Sequence, residues 1–305
     1  MSQVAISIII ATYNRSEKLK RALNSISAQS FRDFEVLVCD DGSIDDTEKT
    51  ASEFKHLNLR YFKNENWGGP ARPRNIGIQH AHGIWLCFLD SDDWWLPEKL
   101  SEVMKYSASF DVIYHSLGII DGKGQNKGVL RARALGSRAF RDLMIKGNAI
   151  ATSSVCLKAD LIHQIGGFSE ARQLIAVEDY ELWLRISHKT NATFHHIDKK
   201  LGFYEINDGG ITGRSYITIE QRLSAISKIY INELNVVDRK YHSGALSYQL
   251  TCAALRCNEV HQIIHINAIM AIKLGVIAIK CKAFLRYLLY FLGRTASNLG
   301  TVISL

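Results

Sequence analysis

Apolar residues in the first ninety positions fall into short, nearly continuous runs: VAISIIIA at 4–11, EVLVC at 35–39 and IWLCFL at 84–89. Runs this short and this rich in β-branched residues mark strands covered on both faces. Between them the period changes. Leu19, Ala22, Leu23 and Ile26 recur at helical spacing within 16–28, and a second helix is expected over 44–54, with Ser43 as a candidate N-cap and Asp46 three positions on. The alternation predicts βαβ units and therefore an α/β fold: a Rossmann-like, mostly parallel sheet flanked by helices. Each of the three strands runs into a polar cluster, Thr12-Tyr13-Asn14-Arg15, Asp40-Asp41-Gly42-Ser43 and Asp90-Ser91-Asp92-Asp93. Ligands of open α/β sheets lie in the crevice beyond the carboxyl ends of the strands, where these clusters fall.

The pattern loosens further along. Pro97-Glu98 reads as the first turn of a helix. The five glycines of 118–136, with scattered Lys and Arg, predict a mobile surface loop. A second block begins near 137, with a strand at about 153–157, a helix over 179–189, a strand near 192–197 and mostly helix from about 216 onward. The division expected is 1–215 for the α/β domain and 216–305 for a helical C-terminal region. No internal repeat or low-complexity tract interrupts it.

Several of the polar clusters carry candidate chemistry. Three carboxylates directly after a buried strand are costly unless a cation or a set of donors compensates them, so the Asp90–Asp93 run reads either as a Mg²⁺ or Mn²⁺ site or as a solvated helix start capped by Asp93. Asp40 and Asp41 offer acceptors to a ribose or base, or else form an Asx turn. Tyr13 can stack on a base. Gly68–Gly77 brings Arg72, Arg74 and Asn75 to the start of a helix, which suits a diphosphate. In the helix over 179–189, Leu182, Trp183 and Ile186 make the buried stripe and Glu181 can pair with Arg185, which leaves Glu178 and Asp179 without an evident partner. A carboxylate at a helix N-terminus is held ionised, the state a general base needs, although plain dipole capping is the commoner explanation of such a pair. His195 and His196 point to opposite faces of a strand and read as structural.

Composition narrows the class. With 47% hydrophobic and 22% charged residues among 305, the chain is neither disordered nor collagen-like nor polytopic. The net charge of +7 invites a nucleic-acid reading, but Glu259 is the last acid, and Lys273, Lys280, Lys282, Arg286 and Arg294 give the tail five unopposed cations. Without them 32 bases face 30 acids, too even a balance for the basic face of a nucleic-acid binder, so no nucleic acid is expected. The tail composition suits a helix lying on an anionic membrane surface, although at 100° per residue its cations form no single stripe; a packed helical pair with solvated charges is the other reading. The six cysteines form no C-x-x-C pair and read as reduced core residues. The N-terminus lacks the basic region and cleavage site of a signal peptide, and no uncharged apolar stretch is long enough to span a bilayer, so a cytoplasmic location is expected.

The ordered runs SIIIATYNR, DFEVLVCDDGSIDDT, GPARPRNIGI, FLDSDDWWLPEKL and IGGFSE with VEDYELWLR, over roughly 4–205, resemble the inverting family 2 glycosyltransferases of the GT-A fold, among them bacterial surface-polysaccharide (O-antigen) hexosyltransferases. The resemblance implies that Thr12, Tyr13, Arg15, Asp40 and Asp41 hold the uracil and ribose of a UDP-sugar, that Arg74 and Asn75 approach the nucleotide, that Asp90 lies near the ribose, that Asp92 binds Mn²⁺ or Mg²⁺, that Glu178 takes part in substrate or nucleotide binding, and that Asp179 is the base. It implies a lipid-diphosphate-linked saccharide acceptor, glucose or galactose as the transferred sugar, and a peripheral position on the inner face of the plasma membrane. This chain departs from the family pattern at Pro73, which stands before the Arg-Asn pair, and at Tyr204-Glu205, where many members carry a basic residue after the tyrosine. A polyprenyl-phosphate sugar synthase and a non-catalytic nucleotide-binding scaffold are the rival readings. A dehydrogenase is disfavoured because no G-x-G-x-x-G follows the first strand.

Overall fold

The computed structural model describes residues 4–206, 216–256, 261–274, 280 and 283. Strand β1 (Ile6–Thr12) is buried along its whole length, and helix α1 (Ser16–Ser27) sends Leu19, Ala22, Leu23 and Ile26 into the same apolar cluster. Strand β2 (Phe34–Asp40), helix α2 (Thr47–Ser52) and strand β3 (Leu59–Lys63) follow. Ser43 does not cap α2: its hydroxyl donates to Asp40 and accepts from the Asn14 amide, and the helix begins at Thr47. Strand β3 gave little sequence signal because it is half-buried and carries Arg60 and Lys63.

Helix α3 (Ala71–His80) leads to strand β4 (Trp85–Asp90). A Cβ on Gly77 would lie 2.5 Å from Ile9 and 3.0 Å from the Cys39 sulfur, so only glycine lets α3 press this closely on the sheet. Pro73 sits in the first turn of that helix, where its missing N–H costs no hydrogen bond. Strand β5 (Trp94–Trp95), helix α4 (Lys99–Met104) and strand β6 (Val112–Asp121) come next. The segment expected as a mobile loop is instead a hairpin, in which strand β7 (Asn126–Leu130) pairs antiparallel with β6; its exposed, glycine-bearing strand has no buried face to give it a period. Helix α5 (Ala139–Lys146), strand β8 (Cys156–Lys158), helix α6 (Ala159–Ile165), helix α7 (Glu178–Lys189) and strand β9 (Phe194–Ile206) complete this part. Helices α8 (Tyr216–Tyr230), α9 (Val236–Arg256) and α10 (His261–Leu274) follow.

The sheet order is β3-β2-β1-β4-β8-β6-β9-β5, with β7 attached to β6. From β3 to β4 all pairings are parallel; β8 then enters antiparallel. Cys156 of β8 stands opposite Cys87 of β4, and the two form a disulfide across 69 residues. This corrects the expectation of six reduced cysteines: strand register, which no cysteine spacing encodes, brings these two together.

The chain divides into two compact units, residues 1–140 with 148–210, and residues 141–147 with 211–305. In the second unit Arg141 forms a two-pronged ion pair with Asp238, and His242 bridges the Met144 carbonyl (2.8 Å) and the Ser227 hydroxyl (2.9 Å). Among the described residues no helix is long and apolar enough to cross a membrane. Most of the basic tail lies outside the described residues.

Candidate active site

The register of the first unit lines up three strand ends. Thr12 stands beside Asp40, Ala11 beside Asp90, and the Asp41 amide donates to the Thr12 carbonyl at 2.9 Å. The expected crevice is therefore built from β1, β2 and β4, with α3 closing toward it. Tyr13 is 46% exposed at this edge. The Thr12 hydroxyl is buried with no hydrogen-bond partner among the described residues, a polar group that a ligand at the strand ends would satisfy.

Other expected nucleotide ligands are already engaged. Asp40 is fully buried, and its carboxylate takes hydrogen bonds from the Ser43 amide and hydroxyl and from the Tyr61 hydroxyl. It braces the strand end, as an Asx turn would. Asp41 accepts from the Trp67 and Gly68 amides (2.8 and 2.9 Å), which folds the 64–69 loop over the end of β2. Asn75 turns toward the 166–170 loop: its side chain accepts from the Phe168 amide and donates to the Phe168 carbonyl and to Glu170. Asn75 is thus a clamp on the Gly-Gly-Phe loop.

Arg74 is buried and bridges two carboxylates, Asp90 at 2.6 Å and Glu178 at 2.7 Å. Desolvation opposes its charge, while Asp90 and Glu178 more than compensate and raise its pKa. Glu178 is therefore not without a partner, as the helix pattern alone implied. Through Arg74 the end of β4 is tied to the N-terminus of α7, and Asp179 follows directly. The Asp179 carboxylate accepts from the Tyr180 amide (2.6 Å) on one oxygen, and from the Thr152 hydroxyl (3.2 Å) and the Asn148 amide (3.4 Å) on the other. Desolvation, then the neighbouring Glu178 charge, raises its pKa to about 7 against the opposing pull of Arg74. A carboxylate of that pKa suits proton abstraction near neutral pH.

The acidic run is held from three sides. Arg15 pairs with Asp92, and Arg21 donates to the Asp92 carbonyl at 2.6 Å while its guanidinium lies 4.0 Å over the Trp94 ring. Glu205 engages both Lys18 and Arg21, and its amide donates to Asp93 at 3.1 Å. The departure at Glu205 is therefore an anchor between β9 and α1. Asp93 is buried, and desolvation with the Asp90 and Asp92 charges pushes its carboxyl well above the usual range. It is a positioning acid, not the helix cap considered above, since α4 begins at Lys99. Ser153 accepts from the Asp90 amide at 3.0 Å. A single 3₁₀ turn, Thr152–Ser154, thus touches both the Asp90 end and Asp179. The pattern reading passed over Asn148, Thr152 and Ser153; the hydroxyl run Thr152-Ser153-Ser154, buried between apolar segments, was the available signal. His195 stacks between Tyr106 and Phe110 and His196 on Tyr114, the structural role expected of them.

Comparison with known proteins adds the deciding observation, for the profile described as Glycosyl transferase family 2 matches residues 7–157. Residues 7–157 belong to glycosyl transferase family 2. The chain is 26% identical over 238 residues, 77% of its own length and 90% of the relative's, to the Escherichia coli UDP-Glc:alpha-D-GlcNAc-diphosphoundecaprenol beta-1,3-glucosyltransferase WfgD. In fold it is similar to Staphylococcus aureus TarS 1–349, solved with UDP-GlcNAc (TM-score 0.56, 19% identity, 88% of each chain). It is also similar to the mannosyltransferase PcManGT from Pyrobaculum calidifontis, solved with GDP-Man and Mn²⁺ (TM-score 0.63, 16% identity, 95% of this chain and 81% of that one). The fold is that of the GT-A glycosyltransferases.

Among the described residues no three His, Cys, Asp or Glu side chains converge as a metal cage. A Mg²⁺ or Mn²⁺ ion that completes its shell with phosphate oxygens and water needs only one or two carboxylates. Asp92 can supply one such carboxylate in place of its pairing with Arg15; burial, opposed by Arg15 and reinforced by Asp90, raises its carboxyl pKa.

Proposed function

We propose that this chain is a metal-dependent inverting glycosyltransferase that moves a hexose, glucose or galactose, from a UDP-sugar to a hydroxyl of a lipid-diphosphate-linked saccharide in surface-polysaccharide synthesis. The observation that carries this reading is Asp179, a base-like carboxylate at the start of α7 joined through Glu178 and Arg74 to Asp90 at the strand-end crevice. Tyr13 and the Thr12 hydroxyl meet the uridine, with the Asp41-braced 64–69 loop as the wall of its pocket. Asp92 would hold the divalent ion, which supplies positive charge to the diphosphate when bound. Arg15, which pairs with Asp92, would offer its charge to the diphosphate. The acceptor hydroxyl gives its proton to Asp179 as its oxygen bonds to the anomeric carbon; the bond from that carbon to the diphosphate oxygen breaks, and its electron pair leaves with UDP. Attack opposite the leaving group inverts the anomeric centre. One base suffices, whereas glycoside hydrolysis needs two carboxylates flanking the bond.

The WfgD relative supports the lipid-diphosphate acceptor and the UDP-sugar, and the nucleotide-sugar complex of TarS supports the donor class. Such an acceptor would place the chain peripherally on the inner face of the plasma membrane. Asp179→Asn tests the assignment: transfer should fall about 10²–10⁴-fold with UDP binding retained, and unchanged turnover would overturn it. A screen of UDP-sugars with Mn²⁺ against lipid-diphosphate GlcNAc and GalNAc, with the product linkage read by NMR, identifies sugar and acceptor.

A further inference from the structure

From Gly122 to Arg141 the chain contains no acid and six bases, Lys123, Lys127, Arg131, Arg133, Arg138 and Arg141. Three of them are spent within the protein. Lys127 pairs with Asp121 at 3.0 Å, Arg133 donates to the Asn148 carbonyl at 3.2 Å, and Arg141 pairs with Asp238. Lys123, Arg131 and Arg138 are exposed and make no ion pair among the described residues. Strand β7, which lies among them, is exposed at every position, and its adjacent Val129 and Leu130 are 42% and 40% exposed.

A charged edge strand is ordinarily explained as protection against unwanted strand pairing. That accounts for Lys127. It does not account for two neighbouring exposed aliphatic residues beside Arg131, which add to the hazard such charges offset. Cations that make no ion pair among the described residues, on either side of exposed aliphatics and with Asp121 of the hairpin already paired to Lys127, complement a surface that is anionic at its headgroups and apolar just beneath. The same segment also leads to the base. Arg133 holds the Asn148 carbonyl and the Asn148 side-chain amide reaches Asp179, so the stretch that follows the hairpin is linked by two hydrogen bonds to the base.

We infer that the β6–β7 hairpin and the stretch that follows it to α5 form a membrane-docking element that binds an anionic phospholipid bilayer through Lys123, Arg131 and Arg138 and inserts Val129 and Leu130 at its surface. This deepens the transferase reading, on which its purpose rests, and it is independent of the basic C-terminal tail. The test is flotation of the full chain with vesicles of phosphatidylcholine and phosphatidylglycerol, roughly seven parts to three, against pure phosphatidylcholine vesicles. The wild type should float with the anionic vesicles only. The triple variant Lys123→Gln, Arg131→Gln, Arg138→Gln should bind about a hundredfold more weakly, and Val129→Ser with Leu130→Ser should also weaken binding. Both variants should keep wild-type transfer to a short-chain, water-soluble acceptor, which shows that they fold. Undiminished flotation of the triple variant overturns the inference, as does loss of binding only when Lys280 and Lys282 are changed. Hairpin-dependent flotation without transfer to any acceptor supports the docking role and sinks the transferase reading alone.

Discussion

Asp179 carries the pH dependence of the proposed reaction, since only its carboxylate can accept a proton. With its pKa raised to about 7, transfer should climb with pH through neutrality and fall about tenfold per pH unit well below it. Glu178 raises that pKa and Arg74 lowers it, while Thr152 donates to the charged form and holds it down. Thr152→Val should therefore move the rising limb of the pH–rate profile to higher pH, and Thr152→Ser should return it; a profile that stays put would reduce Thr152 to packing. Lys99 tests a second buried charge. Its Nζ lies 2.8 Å from the Cys156 sulfur and 3.7 Å from the Trp95 ring centre, and burial alone drives its pKa well below the ordinary value. The unfolded chain keeps that proton to about pH 10, so the folded state binds fewer protons and its stability should rise with pH across the interval. Lys99→Met should remove the slope and add about 1–2 kcal/mol near pH 7, as read from urea midpoints at pH 7 and 9.5.

Elements, more than single side chains, hold the site in register. The Cys87–Cys156 disulfide joins β4 to β8; Asp90 lies three residues beyond Cys87, and Ser153 three residues before Cys156. The crosslink therefore ties together the two segments that present Asp90 and Thr152. Reduction should lower unfolding stability by about 2–4 kcal/mol. Urea midpoints with and without a thiol reductant check this, with the Cys87→Ala, Cys156→Ala double variant insensitive to the reagent; equal wild-type midpoints would show that the bond contributes nothing. Helix α3 acts in the same way through Gly77, whose close approach to Ile9 sets the depth at which Arg74 meets Asp90 and Glu178.

At the scale of the whole molecule, the second unit draws on a piece of chain far from the rest of it. Leu143, Met144 and Ile145 of α5 are buried, and Ile145 packs with Ala245, Tyr241 and Tyr248 of α9. A chain ending at residue 210 would lack the α9 side chains that pack on Ile145, a residue with about 1.5–3 kcal/mol of burial free energy. It should aggregate, and size-exclusion chromatography should show the monomer fraction falling severalfold. A monodisperse 1–210 chain would mean that α5 does not depend on the helices that follow.

Local periodicity determined much of this protein. Apolar runs of six to eight residues identified β1 and β4, the 3.6-residue spacing identified α1 and α7, and the polar clusters at the strand ends located the crevice. Those signals are legible because the faces of a strand or helix are set by neighbours a few residues apart. Partner choice is not local. Which partners the candidate ligand groups already hold depended on groups brought to them by strand order and loop packing: Trp67 and Gly68 for Asp41, Tyr61 for Asp40, Phe168 for Asn75, Arg74 for Glu178. The same holds for the pairing of Cys87 with Cys156, which follows from β8 entering the sheet beside β4. Residue types and their periods specified which chemistry the crevice contains; only the tertiary structure decided which of those groups are spent on holding it open, because buried polar groups must find partners wherever the fold brings them.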